Sequence, residues 1–138
     1  MATYNKYTNA IGPLLEAINA GTDSWKVALA STVNSTDSTF TAGSTDLVTG
    51  GGYTQGGNAA TVASHSVTGG VYKLVLNSPA AWTATGAGFS FRYVILYDAT
   101  TSTPVGYWDY GSTVTMNGTN GDTFTVTLDG TNGVFQIS

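Results

Sequence analysis

The sequence has no cysteine, one histidine (His65), one glutamate (Glu16) and only four basic residues among 138. Without cysteine the chain forms neither disulfides nor thiolate metal sites, which fits a reducing compartment. The basic residues are scattered along the chain as Lys6, Lys26, Lys73 and Arg92. They form no basic stripe that could neutralise phosphates, so the composition argues against nucleic-acid binding.

Charge is also scarce. Charged residues make up 9% of the chain, with a net charge of −4, whereas roughly one quarter is usual for soluble domains. Solubility must therefore rest on threonine, serine, asparagine and glycine, a composition that suits exposed β-strand faces and a subunit packed against other subunits. No apolar run reaches membrane-spanning length, so we expect no membrane partner. MATYNKYTN lacks a secretory-signal layout, and a chain that starts natively at Met1 is expected to fold in the cytoplasm.

The densest run of aromatic and branched side chains lies in residues 89–110, FSFRYVILYDATTSTPVGYWDY. Alternation places one set of side chains on a single face of an extended chain: Phe89, Phe91, Tyr93, Ile95 and Tyr97. The opposite face becomes apolar at Val94 and Leu96, which predicts a strand covered on both faces. Pro104 opens a second extended run, so the stretch predicts the central hairpin of an all-β domain.

Residues 4–20 predict the only helix. Apolar side chains recur there at three- and four-residue steps: Tyr4, Tyr7, Ile11, Leu14 and Ile18. Thr3 is the expected N-cap and Gly21 the expected left-handed C-terminal residue. Pro13 predicts a kink, or two short helices that meet there. The helix either covers one end of the β-domain or docks on a neighbouring subunit.

The rest of the chain predicts strands and turns. WKVALA (25–30) is expected to be a half-buried strand, and the polar stretch 31–59 a long loop that Phe40, Leu47, Val48 and Tyr53 anchor. Residues 60–138 alternate strand and turn, and two Gly-Thr-Asn-Gly tetrapeptides (118–121 and 130–133) predict successive hairpins. We predict a single all-β domain over 1–138, a β-sandwich or jelly-roll-like fold of about eight short antiparallel strands with one N-terminal helix.

Residues suited to catalysis are few, and we predict that the protein is not an enzyme and has no catalytic residue or cofactor. His65 lies mid-strand between two serines, where an exposed or hydrogen-bonded residue is far commoner than a catalytic base. No GxSxG-like turn supplies a nucleophile. Glu16 lies in the predicted helix, so a carboxylate pair would have to come from aspartates alone.

Three further patterns each have a structural and a functional interpretation. The turn residues Asn117, Asn120, Asp122, Asp129 and Asn132 could supply oxygen ligands to Ca²⁺, but such residues usually bond their own backbone, and no metal site is predicted. The glycine runs 50–52 and 56–57 lack the lysine and helix of a phosphate loop and are interpreted as flexible-loop glycines.

The third pattern is the aromatic cluster Tyr107, Trp108, Asp109 and Tyr110, which resembles a sugar-binding platform. Alternation puts Tyr107 and Asp109 on one face and Trp108 and Tyr110 on the other. Core packing or subunit contact is therefore the favoured interpretation.

A series of segments, taken in order, resembles a widespread family of small virion structural proteins of tailed bacteriophages. The segments are MATYNKY, SWKVALA, GGGYTQGGNAATV, YKLVLNSPAAWTATG, FRYVILYD, VGYWDYGS and DTFTVTLDGTNGVFQI. The resemblance covers essentially the whole chain, and Gly12-Pro13 departs from it by interrupting a helix expected to run unbroken. It implies no enzyme, cofactor or catalytic residue.

The resemblance implies a capsid decoration (cement) protein that is made in the host cytoplasm and becomes part of the virion. The expected partners are the major capsid protein or other virion subunits, with a homo-oligomer formed on the particle. Two alternatives stay open: a tail-associated or surface carbohydrate-binding module, and a tail-tube or baseplate subunit.

Overall fold

The computed structural model describes residues 2–138 and contains three antiparallel sheets and one short helix in that range. The elements are β1 (Thr3–Lys6), α1 (Ile11–Glu16), β2 (Trp25–Ala30), β3 (Asn58–Ala59), β4 (Val62–Thr68), β5 (Val71–Leu76), β6 (Trp82–Thr83), β7 (Phe89–Asp98), β8 (Thr103–Met116), β9 (Thr123–Phe124) and β10 (Phe135–Ile137). The sheets have the strand orders β1-β8-β7-β2-β3, β10-β5-β4 and β6-β9. The predicted all-β, antiparallel class is confirmed.

The main core lies between the five-stranded sheet and the two smaller ones. Val27, Leu29 and Leu96 of the large sheet share a buried cluster with Leu74 of β5 and Trp82 of β6. This arrangement is sandwich-like, with side chains from facing sheets interdigitating. The core extends beyond the predicted 60–138 stretch, because β2 is an interior strand of the large sheet, between β7 and β3.

The predicted central hairpin is confirmed, since β7 and β8 pair along their lengths. Its predicted alternation is wrong beyond Arg92, where the register shifts between Phe91 and Tyr93. Phe91 therefore lies in the main core, whereas Ile95 and Tyr97 lie in a second cluster on the opposite face. A bulge moves every later side chain of a strand to the other face, and this one splits the aromatic row between two cores.

The side chains of Arg92 and Asp109 join the two strands at this irregularity. Arg92 Nε donates to Asp109 Oδ1 at 2.7 Å and its Nη2 donates to Oδ2 at 3.0 Å. Asp109 Oδ1 also accepts from the backbone N–H of Gly111 at 2.7 Å. The guanidinium and this N–H lower the pKa of the Asp109 carboxyl, so a charged pair holds the displaced segment of β8 against β7.

The second cluster covers the face of the large sheet that lies away from the main core. Ala28 and Ala30 of β2 are buried in it at 0% and 1% exposure, so the predicted half-buried β2 is wrong. Tyr7 and Phe40, which lie outside the strands, pack against these alanines. Because loop residues pack directly against this face of the sheet, the β2 side chains there are small, and small residues alternate with large ones along the strand.

The predicted helix over 4–20 is wrong in its extent. Residues 3–6 form β1, which pairs antiparallel with β8, so Thr3 is a strand residue and not an N-cap. Only Ile11–Glu16 is helical, and Pro13 lies in the first turn, where its missing N–H costs no intrahelical bond. Pro13 therefore produces no kink. Gly21 lies against the ring of His65, with Nδ1 at 2.6 Å from the position of a Cβ, so close packing explains this glycine.

The two Gly-Thr-Asn-Gly turns do not close hairpins. The first leads from β8 to β9, but β9 pairs with β6. The second leads to β10, which pairs with β5. Both tetrapeptides reverse the chain locally, but the strands that follow them pair with strands β6 and β5, which lie earlier in the sequence. The alternation predicted for residues 123–128 is nevertheless present, with Leu128 buried and Thr125 and Thr127 exposed.

The turn between β7 and β8 contains the fully buried carboxyl of Asp98. Its Oδ1 accepts from the backbone N–H groups of Thr100 at 2.7 Å and Thr101 at 3.0 Å. Its Oδ2 has no hydrogen-bond partner within residues 2–138. Burial, and secondarily the neighbouring side chain of Asp23, raise the pKa of Asp98 to about 6.

Stability is therefore expected to depend on Asp98 in a defined pH window. The folded protein holds the Asp98 proton more tightly than the unfolded chain, so the stabilising contribution of Asp98 protonation is fully present below about pH 4 and is lost as pH rises through about 6. Asp98→Asn removes this titration. Urea unfolding at pH values between about 4 and 7 should show that acidification stabilises the wild type relative to the variant. Parallel pH profiles for the two proteins would contradict the assignment. Asp109 and Asp129, whose pKa values are lowered, change their protonation at more acidic pH.

Candidate functional site: an apolar groove beside the N-terminal segment

The helix α1 lies on the surface with no buried residue. Its side chains Leu15 and Ile11 are 69% and 47% exposed, and Ile137 of β10 is 38% exposed. A helix of six residues is unstable alone, so tertiary contacts must hold it. Leu14 supplies them by packing against both cores. The helix therefore presents apolar side chains to solvent while it is fixed on the domain.

A groove of about 490 Å³ runs along one side of α1. We call it the N-terminal groove, and its lining is almost wholly apolar: Tyr4, Lys6, Ile11, Leu14, Leu15, Val105, Val134, Phe135, Gln136 and Ile137. Contiguous exposed apolar surface of this kind marks interaction sites in soluble proteins. Lys6 is the only charged residue of this lining, so a partner would be recognised mainly by shape and apolar burial.

Long-range strand pairing builds the groove. The register of β1 with β8 places Tyr4 opposite Trp108 and Lys6 opposite Gly106. The Tyr4 ring lies so close to Gly106 that a Cβ there would overlap its hydroxyl. Burial raises the pKa of Tyr4 to about 12. The sequence pattern marked Tyr4 and Leu14 as apolar, but the contribution of Phe135 and Ile137 was missed because β10 reaches the groove through β5.

The only histidine and the only glutamate line a second hollow of about 490 Å³ on the other side of α1. No hydrogen bond joins Glu16 and His65 in the described part of the chain. His65 lies in β4 and its ring packs against Gly21. This contact gives the histidine a structural role, and the absence of catalysis stays a prediction.

The turn residues that were considered as calcium ligands lie in two separate turns. Asn117 Oδ1 accepts from the N–H groups of Thr119 and Asn120, and Asp122 Oδ2 accepts from the N–H of Asn117. In the second turn Asp129 accepts from the N–H groups of Thr131 and Asn132, which lower its pKa. These oxygens bond their own turns. No group of three acidic, histidine or cysteine side chains suited to a metal occurs within residues 2–138.

The aromatic cluster divides between faces, as the alternation predicted. Tyr107 packs edge-on against Tyr7 with ring centroids 5.4 Å apart, in the second core. Trp108 packs against Tyr4 at 5.1 Å on the other face. Trp108 and Tyr110 line a hollow of about 290 Å³. The carboxylate of Asp109 pairs with Arg92, so the cluster forms no continuous platform with an acceptor beside it.

The loop between β2 and β3 (residues 31–57) is anchored by aromatic side chains in both cores, with Phe40 in the second core and Tyr53 in the main core. Phe40 stacks on Tyr97 with centroids 3.7 Å apart and planes 7° apart. Tyr53 is 1% exposed, whereas Val48 is 67% exposed and anchors nothing. Tyr97 fixes the loop further, because its hydroxyl donates to the backbone oxygen of Gly56 at 2.6 Å.

A carboxylate that sequence patterns did not mark organises this loop. Asp46 Oδ1 accepts from the N–H of Gly43 at 2.6 Å, and Oδ2 accepts from Tyr53 Oη at 2.5 Å and from the N–H of Gly56 at 2.6 Å. The Tyr53 hydroxyl in turn accepts from the N–H of Leu29 in β2 at 3.1 Å. Burial and the bond to Asp46 raise the pKa of Tyr53. This network ties the loop to the central sheet.

Three glycines of these runs, Gly51, Gly52 and Gly57, are tightly packed against neighbouring backbone, so their interpretation as flexible is wrong at these positions, whereas nothing lies within 4 Å of the Cβ position at Gly50. A Cβ on Gly57, whose φ is +69°, would overlap the backbone oxygen of Val27. A Cβ on Gly51 would overlap the backbone oxygen of Gly88. These glycines let the loop backbone approach neighbouring strands closely.

Comparison with known proteins adds no relative: no protein-family model, curated protein or solved structure matches the chain. No helix in residues 2–138 has the length and apolar character needed to cross a membrane.

Replacing Tyr53 tests the loop network. Tyr53→Phe leaves Asp46 without one donor and the Leu29 N–H without its acceptor, which should lower the free energy of unfolding by about 1–3 kcal/mol. Tyr110→Phe is the matched control, because Tyr110 is 45% exposed and should change stability by less than about 0.5 kcal/mol. Equal effects of the two variants in chemical unfolding would show that the network contributes nothing.

Gly57→Ala tests close packing of the loop. Backbone strain and overlap with β2 should destabilise the protein by about 2 kcal/mol or more. Gly12→Ala is the control, because nothing lies within 4 Å of the Cβ position at Gly12, and a helical alanine should be neutral or stabilise by up to about 1 kcal/mol. A Gly57→Ala protein that melts with the wild type would restore the flexible-loop interpretation.

Proposed function

We propose that the protein is a bacteriophage virion structural protein, a capsid decoration protein that binds and stabilises the head through protein–protein contacts. The observation that carries a docking role is the N-terminal groove, with Leu15 and Ile11 exposed on a surface helix beside an apolar cavity of about 490 Å³. The resemblance of the ordered sequence segments to small virion proteins supplies the identity of the partner.

The physical character of the fold supports a structural role. Both faces of β7 are buried and hydrogen bonds tie the long loop to the sheet, so the domain is a rigid body with little conformational entropy to lose on binding. Charged side chains are 9% of the chain, so docking desolvates few charges. Many symmetric copies on a particle would convert weak contacts into strong overall attachment.

Capsids assembled without this protein provide the direct test. The purified protein should bind them at micromolar concentration and raise the temperature at which the shell disassembles. Absence of binding at that concentration would overturn the decoration proposal. Electron microscopy of decorated particles, and of tails, would then decide between the head and the alternative position in a tail tube or baseplate.

The groove is tested by Leu15→Gln. The variant removes apolar surface at an exposed helical position, so it should fold normally and bind capsids about tenfold more weakly. Val48→Thr is the matched control, since Val48 is equally exposed at 67% but lies in the loop. Loss of binding in Val48→Thr with full binding in Leu15→Gln would move the capsid contact from the groove to the loop.

The carbohydrate-binding alternative has one structural feature in its favour, the hollow lined by Trp108 and Tyr110. A glycan array probed with the purified protein distinguishes it from decoration. Glycan binding that Trp108→Ala removes, combined with no capsid binding, would replace the decoration proposal.

A further inference from the structure

The strand β4 forms the longest open sheet edge in the described residues. It has seven residues, Val62–Thr68, and its only strand neighbour is β5. The other edge strands are shorter: β1, β3, β6, β9 and β10 have four, two, two, two and three residues. Short edges limit pairing with other chains, whereas a long one offers a row of backbone donors and acceptors.

This edge lacks the usual protection. Every residue of β4 from Ala63 to Thr68 is exposed, and Val67 is 65% exposed. The strand contains no lysine, arginine, aspartate, glutamate or proline, which are the residues that keep open edges from pairing. A bulge between Val62 and Ser64 interrupts the ladder at one end. The regular, unprotected part of the edge is therefore residues 64–68.

The alternating hydrogen-bond pattern of the β4–β5 ladder determines which backbone groups of β4 face the open edge. The turn Gly69-Gly70 has positive φ at both residues, 58° and 80°, the geometry of a two-residue hairpin turn, so Thr68 and Val71 form its hydrogen-bonded pair. Pairs alternate along an antiparallel ladder, and the N–H and C=O groups of His65 and Val67 are directed to the open edge.

The side chains of this segment are self-complementary about Ser66. If two copies pair antiparallel across a two-fold axis at Ser66, Ser64 lies opposite Thr68 of the other copy, and Ser66 lies opposite its equivalent. Hydroxyl pairs of this kind stabilise neighbouring strands. On the other face His65 lies opposite Val67 of the second copy, and the outward backbone groups of both meet in register.

Charge does not oppose a second copy at this edge. The chain has a net charge of −4, so two copies repel at most orientations, but contact at residues 64–68 brings no charged side chain of β4 against another. The ladder neighbour of Ser66 is Lys73, and its Nζ donates to the backbone oxygen of Thr131 at 2.7 Å. This bond directs the ammonium group toward the turn after β9.

We propose that β4 is a homotypic interaction surface, at which two copies of the chain pair antiparallel about Ser66 and join their three-stranded sheets into one six-stranded sheet. The contact is between copies of this chain and requires no capsid, so it stands apart from the decoration proposal. A single strand pair buries less area than a standard stable interface. The pairing is therefore weak and strengthens where copies are concentrated, as on a particle.

The absence of native cysteine makes cross-linking a clean test. At the two-fold axis the Ser66 Cα atoms would lie about 4.5 Å apart, within the range a disulfide spans. Ser66→Cys should form a covalent dimer under mild oxidation about tenfold faster than Thr68→Cys, whose copies are several residues apart across the axis. Equal rates for these two exposed positions would overturn the proposed register.

A charge variant tests the pairing without a disulfide. The wild type should form a concentration-dependent dimer in sedimentation experiments. Ser66→Lys places two ammonium groups opposite each other and should abolish this dimer, whereas Thr119→Lys, the same charge change in an exposed turn, should leave it intact. Circular dichroism checks that each variant folds. If Ser66→Lys does not fold, Val67→Lys takes its place in the test. A wild type that stays monomeric at millimolar concentration, with capsid binding lost in Ser66→Lys, would overturn the homotypic contact and assign the edge to the capsid.

Discussion

Strand β7 is buried on both of its faces from Val94 to Asp98, and the remainder of the chain is arranged to cover these faces. The main core takes one face, with facing strands β5 and β6 opposite. No second sheet covers the other face, so Tyr7 and Phe40 cover it from non-strand segments. Irregular backbone laid over a sheet must find partners for its polar groups. The Asp46 carboxylate and the Tyr97 hydroxyl provide several of these partners, which explains why a loop rich in glycine is rigidly held.

The same arrangement leaves some apolar side chains exposed to solvent. Tyr7 and Leu14 of the N-terminal segment pack against the cores, and Tyr4 packs against Gly106. Ile11 and Leu15 of the same segment face solvent. The His65–Gly21 contact places the second hollow beside α1 next to β4. The N-terminal groove lies along β10, whereas β4 is the opposite edge of the same three-stranded sheet. A pairing of copies at β4 would therefore place the two N-terminal grooves at opposite ends of the six-stranded sheet.

Sequence patterns predicted the strands that are rich in branched and aromatic residues and missed the features that depend on distant partners. WKVALA and FRYVILYD were recognisable because branched residues recur at every second position. The bulge at Arg92 could not be predicted from the residue pattern of β7, because it results from the extra residues of β8 opposite it. The helix over 4–20 was overextended because Tyr4 and Tyr7 fit a helical period by chance, while their contacts are with residues about a hundred positions later. Leu15 could be recognised as apolar, but only the structure shows that its face is left open.

The pairing of β1 with β8 sets the order in which the molecule can be completed. Residues 3–6 are synthesised before their partners at 106–109. Closing so long a loop is slow, because chain entropy must be lost before the contact contributes. Strand β1 therefore pairs only after most of the following strands have been made, and α1, which is joined to β1, is positioned late. The N-terminal groove is completed only after the core strands are in place.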